Sequence, residues 1–126
     1  MIMNVNVFLK IKGLVCVVFG LLMLVVPGVL APIYGFVIDF SSLYFTHFFG
    51  VCFLGLGLIC WSTSLAPVSE LKQNILLSLA VIDTIGTGFC IYHQLVSPLN
   101  AIHWSTVVLW ALFAAGCWIY RSTVKE

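Results

Sequence analysis

Apolar residues dominate four long runs that are separated by short, turn-rich connections. The first extends from about Phe8 to Val26 and stops at Pro27-Gly28. The second covers about Leu43 to Trp61, and the third about Leu71 to Leu95, ahead of Ser97-Pro98. The fourth covers about Ala101 to Tyr120 and leads into the polar tail Arg121 to Glu126. A helix crosses a bilayer with about 20 residues, and each run meets that length. None shows the alternation expected of a membrane barrel strand, so helices are predicted throughout. The fold class read from the pattern is an all-α membrane protein: one domain, 1–126, forming a four-transmembrane-helix bundle.

Composition supports this environment. Of 126 residues, 63% are hydrophobic and 7% charged, with five Lys and Arg against four Asp and Glu. A soluble domain carries about 25% charged residues, so a water-facing surface cannot be built from this set. A formal net charge of +1 with scattered cations also excludes the basic footprint of a nucleic-acid binder. The five cysteines contain no C-x-x-C pair and sit in apolar runs, where they read as small packing residues, not as a disulfide framework or zinc site.

Direction follows from the cations. Lys10 and Lys12 precede the first apolar core, Lys72 lies between the second and third runs, and Arg121 and Lys125 follow the fourth. All five fall on one side, which the positive-inside rule makes cytoplasmic for both termini. Tyr34, Tyr44, Tyr92 and Trp104 are then expected at the outer interface, with Trp61, Trp118 and Tyr120 at the inner one. Lys10, Lys12 and the following apolar core also resemble a signal peptide, and Val29-Leu30-Ala31 imitates a cleavage site. Pro32 would follow the cut, a poor position for proline, so the segment is read as a retained span. The connection from Gly28 to Ser42 is too apolar for water and too broken by Pro and Gly to span, and is expected to lie on or dip into the outer leaflet.

Helices in lipid associate through small residues and interhelical hydrogen bonds. Gly13, Cys16 and Gly20 share a face of the first helix, and Gly50 and Gly57 lie a heptad apart on the second. Ala80, Thr84 and Gly88 recur on the third, and Ala111, Ala114 and Ala115 cluster on the fourth.

Asp83 is the costly residue. At 1.5 Å per residue it lies roughly 16 Å beyond Lys72, near the middle of a ~30 Å hydrocarbon layer, where an aspartate costs about 2.5–3.5 kcal/mol. It must face protein. At 100° per residue, Leu76, Leu79, Ala80, Gly86, Thr87, Cys90 and Gln94 share its face, while Ile82, Ile85, Phe89 and Tyr92 point elsewhere. One reading makes Asp83 a proton- or cation-binding group of an oligomeric transporter, with Thr87 and Gln94 along the outward path. The other makes it a hydrogen-bond clamp to a neighbouring helix, and it is favoured because no second ionisable group lies at that depth. His47, His93 and His103 share the outer side and offer a weaker metal or haem redox reading. His103, Thr106, Trp110, Ala114, Cys117 and Arg121 form one face of the fourth helix that could meet the Asp83 stripe.

The stretches Gly50-Val51-Cys52-Phe53-Leu54-Gly55-Leu56-Gly57-Leu58-Ile59-Cys60-Trp61 and Asn100-Ala101-Ile102-His103-Trp104-Ser105-Thr106-Val107 resemble those of small bacterial four-span proteins with no assigned activity. The resemblance implies four spans in a bacterial inner membrane and assigns no residue a role. By size the chain is also similar to the small multidrug transporters, but its first helix lacks their acidic residue and its charge bias is unlike theirs. No catalytic motif is present. The expected role is a non-catalytic binding or assembly component in the lipid bilayer, without a cofactor. Its expected partners are other membrane proteins or further copies of the chain.

Overall fold

The computed structural model describes residues 4–97 and 99–124; Pro98, Lys125 and Glu126 of the sequence reading lie outside the described residues. Five helices follow in order: α1 Val5–Val25, α2 Pro27–Ile33, α3 Phe40–Leu65, α4 Glu70–Val96 and α5 His103–Thr123, with no strand among the described residues. Helices α1, α3, α4 and α5 are each long and apolar enough to cross a membrane, as expected of a multi-pass membrane protein. The chain divides into two compact units, one ending at Leu65 and the other beginning at Ala66.

In the first unit α1 and α3 form an antiparallel pair in which backbone approaches backbone at the expected glycines. A Cβ built on Gly13 would stand 2.9 Å from the Gly57 carbonyl oxygen, and one on Gly20 would stand 2.9 Å from that of Gly50. Real Cβ atoms do not come so close, so only glycine permits this spacing. Cys16 is buried between these two crossing points in the α1 sequence, as a small packing residue would be.

Local capping sets the ends of the helices and corrects the predicted boundaries. α3 begins at Phe40, three residues ahead of the apolar run, because Asp39 and Ser42 cap each other. The Ser42 N–H donates to Asp39 Oδ1 at 2.7 Å, and the Asp39 N–H donates to Ser42 Oγ at 2.8 Å. At its far end α3 runs on through Thr63 and Ser64, whose hydroxyls donate to the carbonyls of Ile59 and Trp61. The same back-bonding satisfies Thr46, Ser78, Thr84 and Thr87 on their own helices. α4 starts after Ser69, whose side chain accepts the Lys72 N–H at 3.2 Å.

The Gly28–Ser42 connection is not a plain loop, since its first half is helical. Pro27 opens α2 at a position that needs no N–H donor. The helix stops at Gly35, which adopts φ 85°. There the Phe36 N–H donates to the Ala31 carbonyl at 3.0 Å and the Gly35 N–H to that of Pro32 at 3.0 Å, a Schellman closure.

The exposed Asp39 makes the N-terminus of α3 sensitive to pH. The Ser42 backbone N–H, followed by the Ser42 side chain, holds its carboxyl below the usual carboxylate range. A depressed carboxylate stabilises the cap above its unfolded-state value and loses that contribution as pH falls through the folded value. Acidification should therefore speed amide hydrogen exchange in the first turn of α3, after correction for intrinsic rates. In Asp39→Asn, whose amide oxygen accepts the same bond without titrating, this acid step should disappear.

Candidate functional site

The second unit pairs α4 with α5, and Asp83 stands at the midpoint of the 27-residue α4. The predicted stripe is the buried one. Leu76, Leu79, Ala80, Asp83 and Gln94 are buried and Gly86, Thr87 and Cys90 half-buried, whereas Ile82, Ile85, Phe89 and Tyr92 are exposed. Asp83 itself is 0% exposed. The face of α5 that meets the stripe carries His103, Val107, Ala114, Cys117 and Tyr120 as its buried residues, with Thr106 and Trp110 half-buried.

Two expected members of the small-residue and α5 faces are replaced by others. Arg121 is exposed and Tyr120, placed at the inner interface by the sequence, is buried instead. Ala111 and Ala115 are also exposed, leaving Ala114 as the packed alanine. On α4 the close approach is made by Gly86 and not Gly88. A Cβ on Gly86 would lie 2.6 Å from Trp110 Cε3, whereas nothing lies within 4 Å of one on Gly88. The causes differ: on α4 the Trp110 indole lies over the helix where only a glycine leaves room for it, whereas Arg121 sits in the last turn of α5, where a charged side chain stays exposed.

Around Asp83 the bonding is short-range and complete. The Cys117 thiol donates to Asp83 Oδ2 at 3.6 Å, linking α5 to α4 at mid-helix. The Thr87 hydroxyl donates to the Asp83 carbonyl at 2.7 Å, and the Trp118 indole N–H donates to Thr84 Oγ1 at 3.1 Å, a second side-chain link between the helices. Among the described residues no buried side-chain nitrogen or oxygen lacks a hydrogen-bond partner. The buried contact between Cys117 and Asp83 favours this arrangement of the two helices, because separating them takes a donor away from a carboxyl in an apolar setting.

Gln94 belongs to a different cluster, three turns further along α4 at the helix end. Its amide nitrogen donates to the carbonyls of Leu99 at 3.5 Å and Asn100 at 3.4 Å. Those acceptors turn its oxygen toward His103, 3.0 Å from Nδ1, so Nδ1 carries the donated hydrogen. The result is a latch across the α4–α5 connection. Thr87 and Gln94 therefore share the Asp83 face, yet each is engaged elsewhere: Thr87 with its own backbone, Gln94 with the connection and His103.

The histidines separate by surroundings. His103 is buried in that latch, while exposed His93 lies against its helix neighbours Phe89 and Tyr92, with ring centroids 6.4 and 5.4 Å away. His47 is half-buried on α3. Among the described residues no three His, Cys, Asp or Glu side chains are grouped so as to hold a metal ion, so the set His47, His93 and His103 is not assembled.

Three placements were not expected from the sequence, two in the second unit, Cys117 and Lys72, and one in the first, Lys12. Cys117, read only as a packing residue, supplies the thiol at Asp83. Lys12 and Lys72, read as cations flanking the spans, are each only 1% exposed. Lys72 curls back to donate from Nζ to the Ala66 carbonyl at 2.8 Å. The signal was present in the spacing: Lys12 precedes Cys16 and Gly20 at four-residue intervals, and Lys72 precedes Leu76 in the same way.

Comparison of the chain with protein-family profiles, curated proteins and solved structures finds no match.

Proposed function

We propose that this chain is a multi-pass protein of a bacterial inner membrane, with four spans and both termini cytoplasmic, that acts by binding other membrane components and catalyses no reaction. The orientation rests on the one-sided placement of Lys10, Lys12, Lys72, Arg121 and Lys125. Asp83 serves as the clamp between α4 and α5. The observation that carries this role is the burial of Asp83 to 0% exposure with the Cys117 thiol against its carboxyl. A carboxyl that carries protons or cations needs a route by which they arrive. The two residues expected along such a route, Thr87 and Gln94, hold their hydrogen bonds within the helix pair.

The test compares native chain, Asp83→Asn and Asp83→Leu in proteoliposomes loaded with a pH-sensitive dye. For a clamp, proton flux stays at the level of empty liposomes in the native chain and in Asp83→Asn. Asp83→Leu loses the thiol–carboxyl contact and unfolds at lower denaturant, by roughly the 0.6–1.7 kcal/mol measured for hydrogen bonds between membrane helices. Flux in the native chain that Asp83→Asn abolishes without loss of folding would instead establish the coupled transporter.

A further inference from the structure

The segment between α1 and α3 does more than connect them. The crossings Gly13 with Gly57 and Gly20 with Gly50 fix the register of the pair, which places the end of α1 beside Phe45 and leaves the first turn of α3 projecting past it. Tyr34, the C-cap of α2, has its ring centroid 6.4 Å from that of Phe19, so its side chain reaches down onto α1 and ties the connection to this end of the pair. The left-handed turn at Gly35 redirects the chain, and the Asp39–Ser42 cap receives it at the start of α3.

This segment suits the edge of the hydrocarbon. From Pro27 to Ile38 it carries no charged side chain, and Pro27 and Pro32 remove two backbone donors. The amides of Val29, Leu30, Tyr34, Gly35 and Phe36 donate to carbonyls between Val26 and Pro32. At its turn, Val37 and Phe40 are each 90% exposed, continuous with exposed Tyr44 and Phe45 on α3.

We propose that residues 27–40 form a shallow interfacial wedge that binds lipid, with the Val37 and Phe40 side chains inserted at the headgroup end of the acyl chains of the leaflet on that side. Asp39 then marks the headgroup level, with its carboxylate and the α3 cap in water. The inference rests on the membrane-spanning reading above and adds a specific lipid contact to it.

An environment-sensitive fluorescent amino acid, placed at position 37 of the otherwise native chain and separately at Val51 near the middle of α3, tests it in phosphatidylcholine proteoliposomes. Quenchers are iodide in the buffer and nitroxides on the acyl chains. The wedge predicts a blue-shifted probe at 37 that is quenched by shallow nitroxides and has lost access to iodide, with position 51 quenched by deep nitroxides. If 51 reports lipid while 37 is open to iodide, or 37 is shielded from both quenchers by protein, the wedge is wrong and the spans stand. If 51 itself is open to iodide, the membrane-spanning reading fails and the wedge falls with it.

Discussion

Gly57→Ala should destabilise the α1–α3 pair by about 1–3 kcal/mol, while Gly55→Ala, two residues away on the same helix, should leave it unchanged or slightly more stable. The contrast comes from what each new methyl group would meet. At Gly57 it would lie 2.7 Å from Val17 Cγ2, 2.8 Å from the Gly13 carbonyl oxygen and 3.0 Å from the Val17 backbone nitrogen. The valine methyl can rotate away, but the two backbone atoms can retreat only if α1 moves as a body. That movement also loosens the Gly20–Gly50 crossing, because both contacts lie on one rigid pair of helices. At Gly55 nothing lies within 4 Å, so alanine merely restricts the unfolded chain and favours the helix. Unfolding in mixed micelles by increasing sodium dodecyl sulfate, followed by circular dichroism, reads both variants. Equal midpoints for the two would show that the glycine crossing does not set helix spacing.

Gly86→Ala should cost a similar 1–3 kcal/mol in the second unit, and a smaller partner should recover part of it. Its methyl group would stand 2.6 Å from both Trp110 Cε3 and Cζ3 and 3.1 Å from Cδ2, so the obstacle is the flat of an indole and not a flexible tip. Trp110→Leu alone should also destabilise, by leaving a void over Gly86. In the double variant the two changes compensate, and the loss should fall short of the sum by roughly 0.5–3 kcal/mol, the coupling typical of residues in direct contact. The same denaturant series measures the cycle. Additive losses would mean that Trp110 does not rest on Gly86.

The contrast between Gly86 and Gly88 also shows where sequence pattern stops being informative. Hydropathy located the four spans because each must be apolar over its full length. The angular spacing identified the buried stripe of α4 because a single acidic group has one face to turn inward. The angle placed Gly86 on the Asp83 face while the four-residue spacing of small residues pointed to Gly88, and neither argument says that a tryptophan rests on Gly86, since that depends on the rotation of α5. The Asp39 cap and the helix α2 were hidden for another reason: both depend on hydrogen bonds between near neighbours that leave no trace in hydrophobic periodicity. Thr87 and Gln94 were correctly grouped with Asp83 by angle. A helical face extends along the whole axis, however, and the three residues meet different partners at different heights. Cys117 was passed over because a thiol in an apolar run looks the same whether it packs against a methyl group or a carboxyl.

The hydroxyl side chains that turn back onto their own helices have a consequence for how the chain is made. Thr46, Thr63 and Ser64 on α3, and Ser78, Thr84 and Thr87 on α4, each find their acceptor within one turn of the same helix. For these groups, each helix is self-sufficient on leaving the ribosome. On the membrane-spanning reading proposed above, it can be released sideways from the insertion channel before its neighbour has been synthesised, with no hydroxyl waiting for a partner not yet translated.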